Sequence, residues 1–202
     1  QPSIAVATPQ NNIDTTVQII TVNGTTLNTR INDNIQIYTN GVLQSSVLLG
    51  AGNGSFSGTA RLNGVSDNVV VKLTDGFGRI IYDTRVVNYY GQLSIGITAP
   101  VNAGQTHDTI VNVITVSGTT SGNIGDTVTI YANDILQSKY ILAAANSVFS
   151  GTAAVTQLNT VIKAIITDKL DRADTRQITV NYYGQPSIAV ATPQNNIDTT
   201  VQ

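Results

Sequence analysis

Apolar and polar residues alternate along this chain in short runs, and each run is closed by Asn, Gly, Asp or Pro. Period-two alternation sends successive side chains to opposite faces of a strand, so each run predicts a strand with one buried face. Seven such runs precede Gly91: residues 3–7, 16–22, 35–39, 42–49, 55–61, 68–74 and 80–87. Between the third and fourth lies Asn40-Gly41, a hairpin signal, because both turn positions need φ above zero. Asn23-Gly24 reads as the turn that closes the second run. The same alternation names the core. Ile35 and Ile37 share a face, as do Val69, Val71 and Leu73, which leaves Lys72 pointing outward. Phe56 is the aromatic placed centrally. Strands at this spacing, with a turn between each pair, predict an antiparallel β-sandwich of about seven strands.

The pattern then recurs. Asn88-Tyr89-Tyr90-Gly91-Gln92 returns as Asn181-Tyr182-Tyr183-Gly184-Gln185, 93 positions later. Ile130-Tyr131 answers Ile37-Tyr38, and Phe149 answers Phe56. Val128 with Ile130, and Ile162 with Ala164 and Ile166, repeat the inward positions, while Lys163 repeats Lys72. Asp-Thr-Arg at 83–85 recurs at 174–176 on a different offset, which predicts a bulge or a changed hairpin length there. A longer identity encloses both modules. Residues 185–202 repeat residues 1–18 letter for letter, 184 positions apart. Self-similarity at a fixed period is the mark of an array. The predicted organisation is one sandwich over 1–91, a second over 92–184, and the start of a further copy over 185–202. The NYYG stretch reads as the joint between modules, formed by Tyr89, Tyr90 and Gly91 and again by Tyr182, Tyr183 and Gly184.

Several of these stretches carry a resemblance. The strand with Ile20, Val22 and Gly24 (again Ile114, Val116 and Gly118), the IYxNxxLQS hairpin, the FSGTA strand and the ITD turn are similar to the bacterial Ig-like domains. The likeness spans both modules. It implies an all-β fold of two tandem Ig-like sandwiches. It also implies a place among prokaryotic surface adhesins, S-layer and stalk proteins, or the spacers of secreted glycoside hydrolases, where such domains are mostly spacers and sometimes binders. The Cys–Trp–Cys core of antibody-type domains is absent.

Composition sharpens the functional reading. Charged residues make up 11% of the chain, less than half the usual ~25%. Every acid is Asp, and polarity comes from Thr, Asn, Ser and Gln. Net charge is −2 with no basic stripe, which argues against a nucleic-acid partner. Without Cys there is no disulfide and no thiolate metal site. No apolar run approaches the ~20 residues of a membrane span.

The residues that carry chemistry elsewhere read here as structural. His107, the one histidine, falls in a turn inserted relative to the first module and reads as a solvated loop residue. Asp168, Asp171 and Asp174 cluster in one turn and form a weak Ca²⁺ candidate. They lack the DxDxDG spacing, and Lys169 and Arg172 lie among them, so local charge pairing is the competing reading. Asn23 and Asn53 open glycosylation sequons on Asn-Gly turns. The tyrosine pairs could stack a sugar or pack across the joint. No cofactor motif and no catalytic constellation is present, so the chain reads as a non-enzyme.

The expectation is a structural repeat unit of a long extracellular fibre, stalk or surface protein, stiff because the joint leaves little slack. Its partners would be neighbouring repeats or copies of itself, with glycan as a further candidate. The alternatives are an adhesin module binding carbohydrate or protein through its end loops, and the spacer of a secreted enzyme. The array could be one long polypeptide or separate chains joined by strand exchange. The first form makes 185–202 an orphan first strand.

Overall fold

The computed structural model describes residues 1–189. Among them the alternation becomes strands throughout, with no helix. The first sandwich contains β1 (Ser3–Thr8), β2 (Ile13–Thr15), β3 (Ile19–Leu27), β4 (Asn34–Thr39), β5 (Val42–Leu48), β6 (Ser55–Arg61), β7 (Asp67–Thr74) and β8 (Ile80–Tyr89). One sheet runs β1-β3-β6 and faces a second, β2-β8-β7-β4-β5. The second sandwich repeats this with β9 (Ile95–Ala99), β10 (Thr106–Thr109), β11 (Val113–Thr120), β12 (Thr127–Ala132), β13 (Ile135–Ile141), β14 (Val148–Ala154), β15 (Thr160–Thr167) and β16 (Ala173–Tyr182). Its sheets are β9-β11-β14 and β10-β16-β15-β12-β13.

Each sandwich is held by an aliphatic core around one phenylalanine. Val22, Ile35, Ile37, Val69, Val71 and Leu73 are fully enclosed with Phe56 in the first. Val116, Val128, Ile162, Ala164 and Ile166 surround Phe149 in the second. The β4–β5 hairpin turns on Asn40 and Gly41 at φ 50° and 81°, and β12–β13 turns on Asn133 and Asp134 at 47° and 64°. Both are the left-handed pairs that a two-residue hairpin with right-twisted strands requires.

Four expectations need correction. There are eight strands per sandwich rather than seven. β2 and β10 are short edge strands, each paired in parallel with the last strand of its module, and too short to show alternation. His107 therefore lies on β10, opposite Val180, and not in a turn. Asn23-Gly24 is not a turn either. β3 runs on to Leu27, and Gly24 is needed there for close approach: a Cβ on it would lie 2.1 Å from the Ala5 carbonyl oxygen and 2.8 Å from the Phe56 ring. Finally, no bulge interrupts 83–85. The β7–β8 and β15–β16 ladders are continuous and in the same register. Asp83 and Asp174 differ by two positions along that ladder, and an even shift keeps a side chain on the same face. Each carboxylate still reaches a first-strand amide, with Val6 N–H donating to Asp83 at 2.8 Å and Ile95 N–H to Asp174 at 3.0 Å.

Residues 185–189 are irregular and exposed. The greater part of the repeated opening segment, and with it the orphan-strand expectation, lies outside the described residues.

Candidate functional site

The feature that distinguishes this pair of sandwiches is the short connector between them. It begins as β8 ends at Tyr89 and finishes as β9 begins at Ile95. Its backbone is tied on both sides. Toward the first sandwich, Tyr90 N–H donates to the Thr15 carbonyl at 2.9 Å. Toward the second, three carbonyls are held. Arg172 Nη2 donates to Gly91 at 3.0 Å, Ser121 Oγ to Gln92 at 2.8 Å, and Ser121 N–H to Ser94 at 2.9 Å. Leu93 packs against the second core. A connector with its carbonyls committed to one domain and its amide to the other has few free dihedrals left to bend.

Side chains extend the contact. Tyr90 is only 4% exposed, and the Lys169 ammonium stands 5.9 Å from its ring centroid. Lys169 also pairs with Asp14 of the first sandwich at 3.4 Å. Asp14 is oriented from its own domain by Asn88 Nδ2, which donates at 2.8 Å. Arg172 is fixed in turn by Asp168, whose fully buried carboxylate accepts from Nε at 2.7 Å and from the Leu170 and Arg172 amides at 2.9 Å each. Beside it, the Asp126 carboxyl is pushed up from its ordinary value, first by burial and further by the Asp168 charge. A groove of about 580 Å³ opens next to the contact, lined by Val65, Tyr90, Ile124 and Lys169 among others.

The Asp14–Lys169 pair has a defined pH window. The Asn88 hydrogen bond, then Lys169, hold the Asp14 carboxyl below its ordinary value. Asp14 holds Lys169 above its own. A depressed acid contributes above its unfolded value, near ~3.9, and loses that contribution as pH falls through the folded value. A raised lysine contributes below ~10.4 and loses it as pH rises past its folded value. The pair is therefore intact across the neutral range. Following the Asp14 carboxyl carbon by NMR, Asn88→Ala and Lys169→Ala are each expected to raise its midpoint, because each removes a group that favours the charged carboxylate.

The sequence-selected residues fall in different places. Tyr89 and Tyr182 pack against the first and second cores. Tyr90 is covered, which leaves little ring face for a sugar, whereas Tyr183 is 48% exposed. Asp168, Asp171 and Asp174 are not drawn together. Asp168 is buried against Arg172, Asp171 holds a left-handed turn position at φ 58°, and Asp174 is bonded to Ile95 N–H and Arg176. Asn53 sits in an exposed turn, while Asn23 is within β3. Among the described residues, no group of three or more His or acidic side chains is placed to hold a metal.

Asp14 and Ser121 escaped the sequence reading, which took Asn88 only as part of the repeated NYYGQ stretch and Lys169 and Arg172 only as local charge partners in the Asp168 turn. One signal was available: Asp168 and Arg172 repeat Asp75 and Arg79 at the module offset of 93.

No family model matches the sequence. No curated protein matches it either. Solved structures do match the fold. A titin fragment, Titin-A168169, superposes with a TM-score of 0.58 at 10% identity, over 90% of this chain and 98% of that one. DIP-gamma IG1+IG2 superposes at 0.56 and 9% identity, over 90% and 97%. An I-band fragment of titin superposes at 0.52 and 6% identity, over 91% of this chain and 66% of that one. The chain is a tandem of immunoglobulin-like sandwiches. At these identities the likeness establishes fold alone. Among the described residues, no helix is long and apolar enough to cross a membrane.

Proposed function

We propose that this chain is a structural repeat unit of a long extracellular fibre, stalk or surface protein on a prokaryotic cell, and that its task is to hold a fixed, extended spacing. The domains assigned to the unit are 1–91 and 92–184. The observation that carries the reading is the tied connector, in which Tyr90, Gly91, Gln92 and Ser94 all spend backbone groups on one sandwich or the other. Short bonded linkers between packed domains behave as semi-rigid spacers rather than free hinges. The exact recurrence of 1–18 at 185–202 supports an array built from such units. A low-charge surface rich in Thr, Asn and Ser suits prolonged exposure outside the cell.

The test is to isolate the natural chain, measure its mass under denaturing conditions and image it natively. A mass many times that of one unit, with straight filaments in the micrographs, is the expected result. Natural material that forms no filament, whether by covalent extension or by association, overturns the proposal.

The groove beside Tyr90 favours a second reading, in which the unit binds carbohydrate or peptide at the joint. Glycan-array binding that is lost on Ile124→Ala, an exposed residue of the groove wall, would support it.

A further inference from the structure

The two sandwiches present similar ends, and among the described residues one lower end and one upper end meet at the joint. The lower ends share the bonds that face the joint, although Asp67 of the first is Thr160 in the second. Asn88 donates to Asp14 and Asn181 to Asp108, both at 2.8 Å. Tyr90 N–H donates to the Thr15 carbonyl, and Tyr183 N–H to that of Thr109. The upper ends match as well. Asp75 holds Arg79 as Asp168 holds Arg172, with the same backbone bonds to the turn. Asp33 accepts from Arg30 N–H as Asp126 does from Asn123 N–H. The first lower end meets the second upper end at the joint described above. Among the described residues, the second lower end and the first upper end meet no other module. Tyr183 is 48% exposed where Tyr90 is 4%. The Arg79 side chain is 51% exposed where Arg172 is 33%.

The open upper end is already holding half a connector. Asn28 Nδ2 donates to the Gln1 carbonyl at 3.1 Å, as Ser121 donates to Gln92. In sequence, Gln185 is the equivalent of Gln1, and Gly184 precedes it as Gly91 precedes Gln92. Arg172 bonds the carbonyl of the residue just before Gln92. The matching acceptor for Arg79 is the carbonyl just before a Gln1-equivalent, which is Gly184 of the preceding unit.

We infer that the open lower end of the second sandwich docks on the open upper end of the first sandwich of the next unit in the same polypeptide, through Arg79 to the Gly184 carbonyl and Asn28 to that of Gln185. This deepens the fibre reading and rests on it. Tyr183 is then covered as Tyr90 is, with Ile31 in the place of Ile124. The two joints differ in one respect. Gly76 stands where Lys169 does, so Asp108 gains no lysine. In its place Phe77, 67% exposed, carries Arg30 at 4.6 Å and Arg79 at 5.6 Å from its ring centroid, a cationic aromatic rim facing an end that bears Asp108.

The test uses a chain of two complete 184-residue units. The protein has no cysteine, so introduced thiols are the only ones. Asp108→Cys in the first unit and Gly76→Cys in the second occupy the positions equivalent to Asp14 and Lys169. Gly76 has room for a side chain, its nearest neighbour being Asp33 Oδ1 at 3.8 Å. The control pairs Asp108→Cys with Val42→Cys of the second unit, the first residue of β5, at the opposite end of that sandwich from Gly76. With a short bis-maleimide, intrachain linking is expected at least about tenfold faster for the first pair, because the joint raises the effective concentration of the two thiols. Arg79→Ala in the second unit should slow it severalfold. Arg79→Ala in the first unit, which has no preceding module in this chain, should leave it unchanged. Equal rates for the two pairs overturn the inference. Small-angle scattering on the same chain separates the failures. An extended particle with equal rates removes this joint and leaves the fibre reading standing, whereas a compact or widely bending particle with equal rates removes both.

Discussion

Gly118→Ala is expected to destabilise the second sandwich severely and leave the first unaffected. The added methyl would lie 1.8 Å from the Gly96 carbonyl oxygen and 2.8 Å from both the Gly96 carbonyl carbon and the Phe149 ring. Two of the three obstacles are backbone atoms, so no rotamer change relieves the clash. β9 must move off β11, and it takes Ile95 and Ile97 out of the core. Withdrawing two isoleucines costs about 1.5–3 kcal/mol each, against a domain stability of about 5–15 kcal/mol. The expected loss is about 4 kcal/mol or more. Gly96→Ala on the facing strand is the control: its nearest contact is Thr119 Oγ1 at 3.4 Å, and a shift under about 1 kcal/mol is expected for a substitution with no large mechanism behind it. Calorimetry on the whole chain should show one transition displaced or lost by Gly118→Ala and both retained by Gly96→Ala.

Asp168→Ala is expected to destabilise the second sandwich and loosen the joint together. The lost carboxylate accepts from two turn amides and the Arg172 guanidinium, and its side chain is fully buried. Removing one partner of a buried pair costs about 3–5 kcal/mol when the other charge is stranded. Arg172 is one-third exposed, so water takes part of its charge, and about 3 kcal/mol is the expected figure. The same change also frees the guanidinium that holds the Gly91 carbonyl. Asp75→Ala removes the equivalent carboxylate from the first sandwich, where no bond to this joint depends on it. Both variants should lower one melting transition, and Asp168→Ala alone should change the relative orientation of the domains, read by residual dipolar couplings.

The sandwich was legible because its determinants are local. Alternation at Ile35–Ile37 and Val69–Leu73 and the Asn40-Gly41 hairpin each act within a few residues. Gly24 shows where locality fails. An Asn-Gly pair signals a turn, but this glycine answers to Ala5 and Phe56, which approach it across two strands. The short strands β2 and β10 were missed because three or four residues carry no period. At the joint, the repeated NYYG drew attention to Tyr90 and Gly91. Asp14, Lys169 and Arg172 reach it from turns and an edge strand far away in sequence, and spacing alone does not bring them together. Lys169 has no counterpart in the first module, where Gly76 stands, so even the internal repeat could not point to it.

The central claim is that the connector fixes one domain orientation. The most direct measurement is the spin-label distance distribution between Ser57→Cys and Ser150→Cys, outward positions on β6 and β14. A single narrow distribution is predicted, broadening when a glycine-serine segment is inserted after Gly91. A native distribution as broad as that of the insertion variant would mean two sandwiches swinging on a free hinge, and would contradict the account.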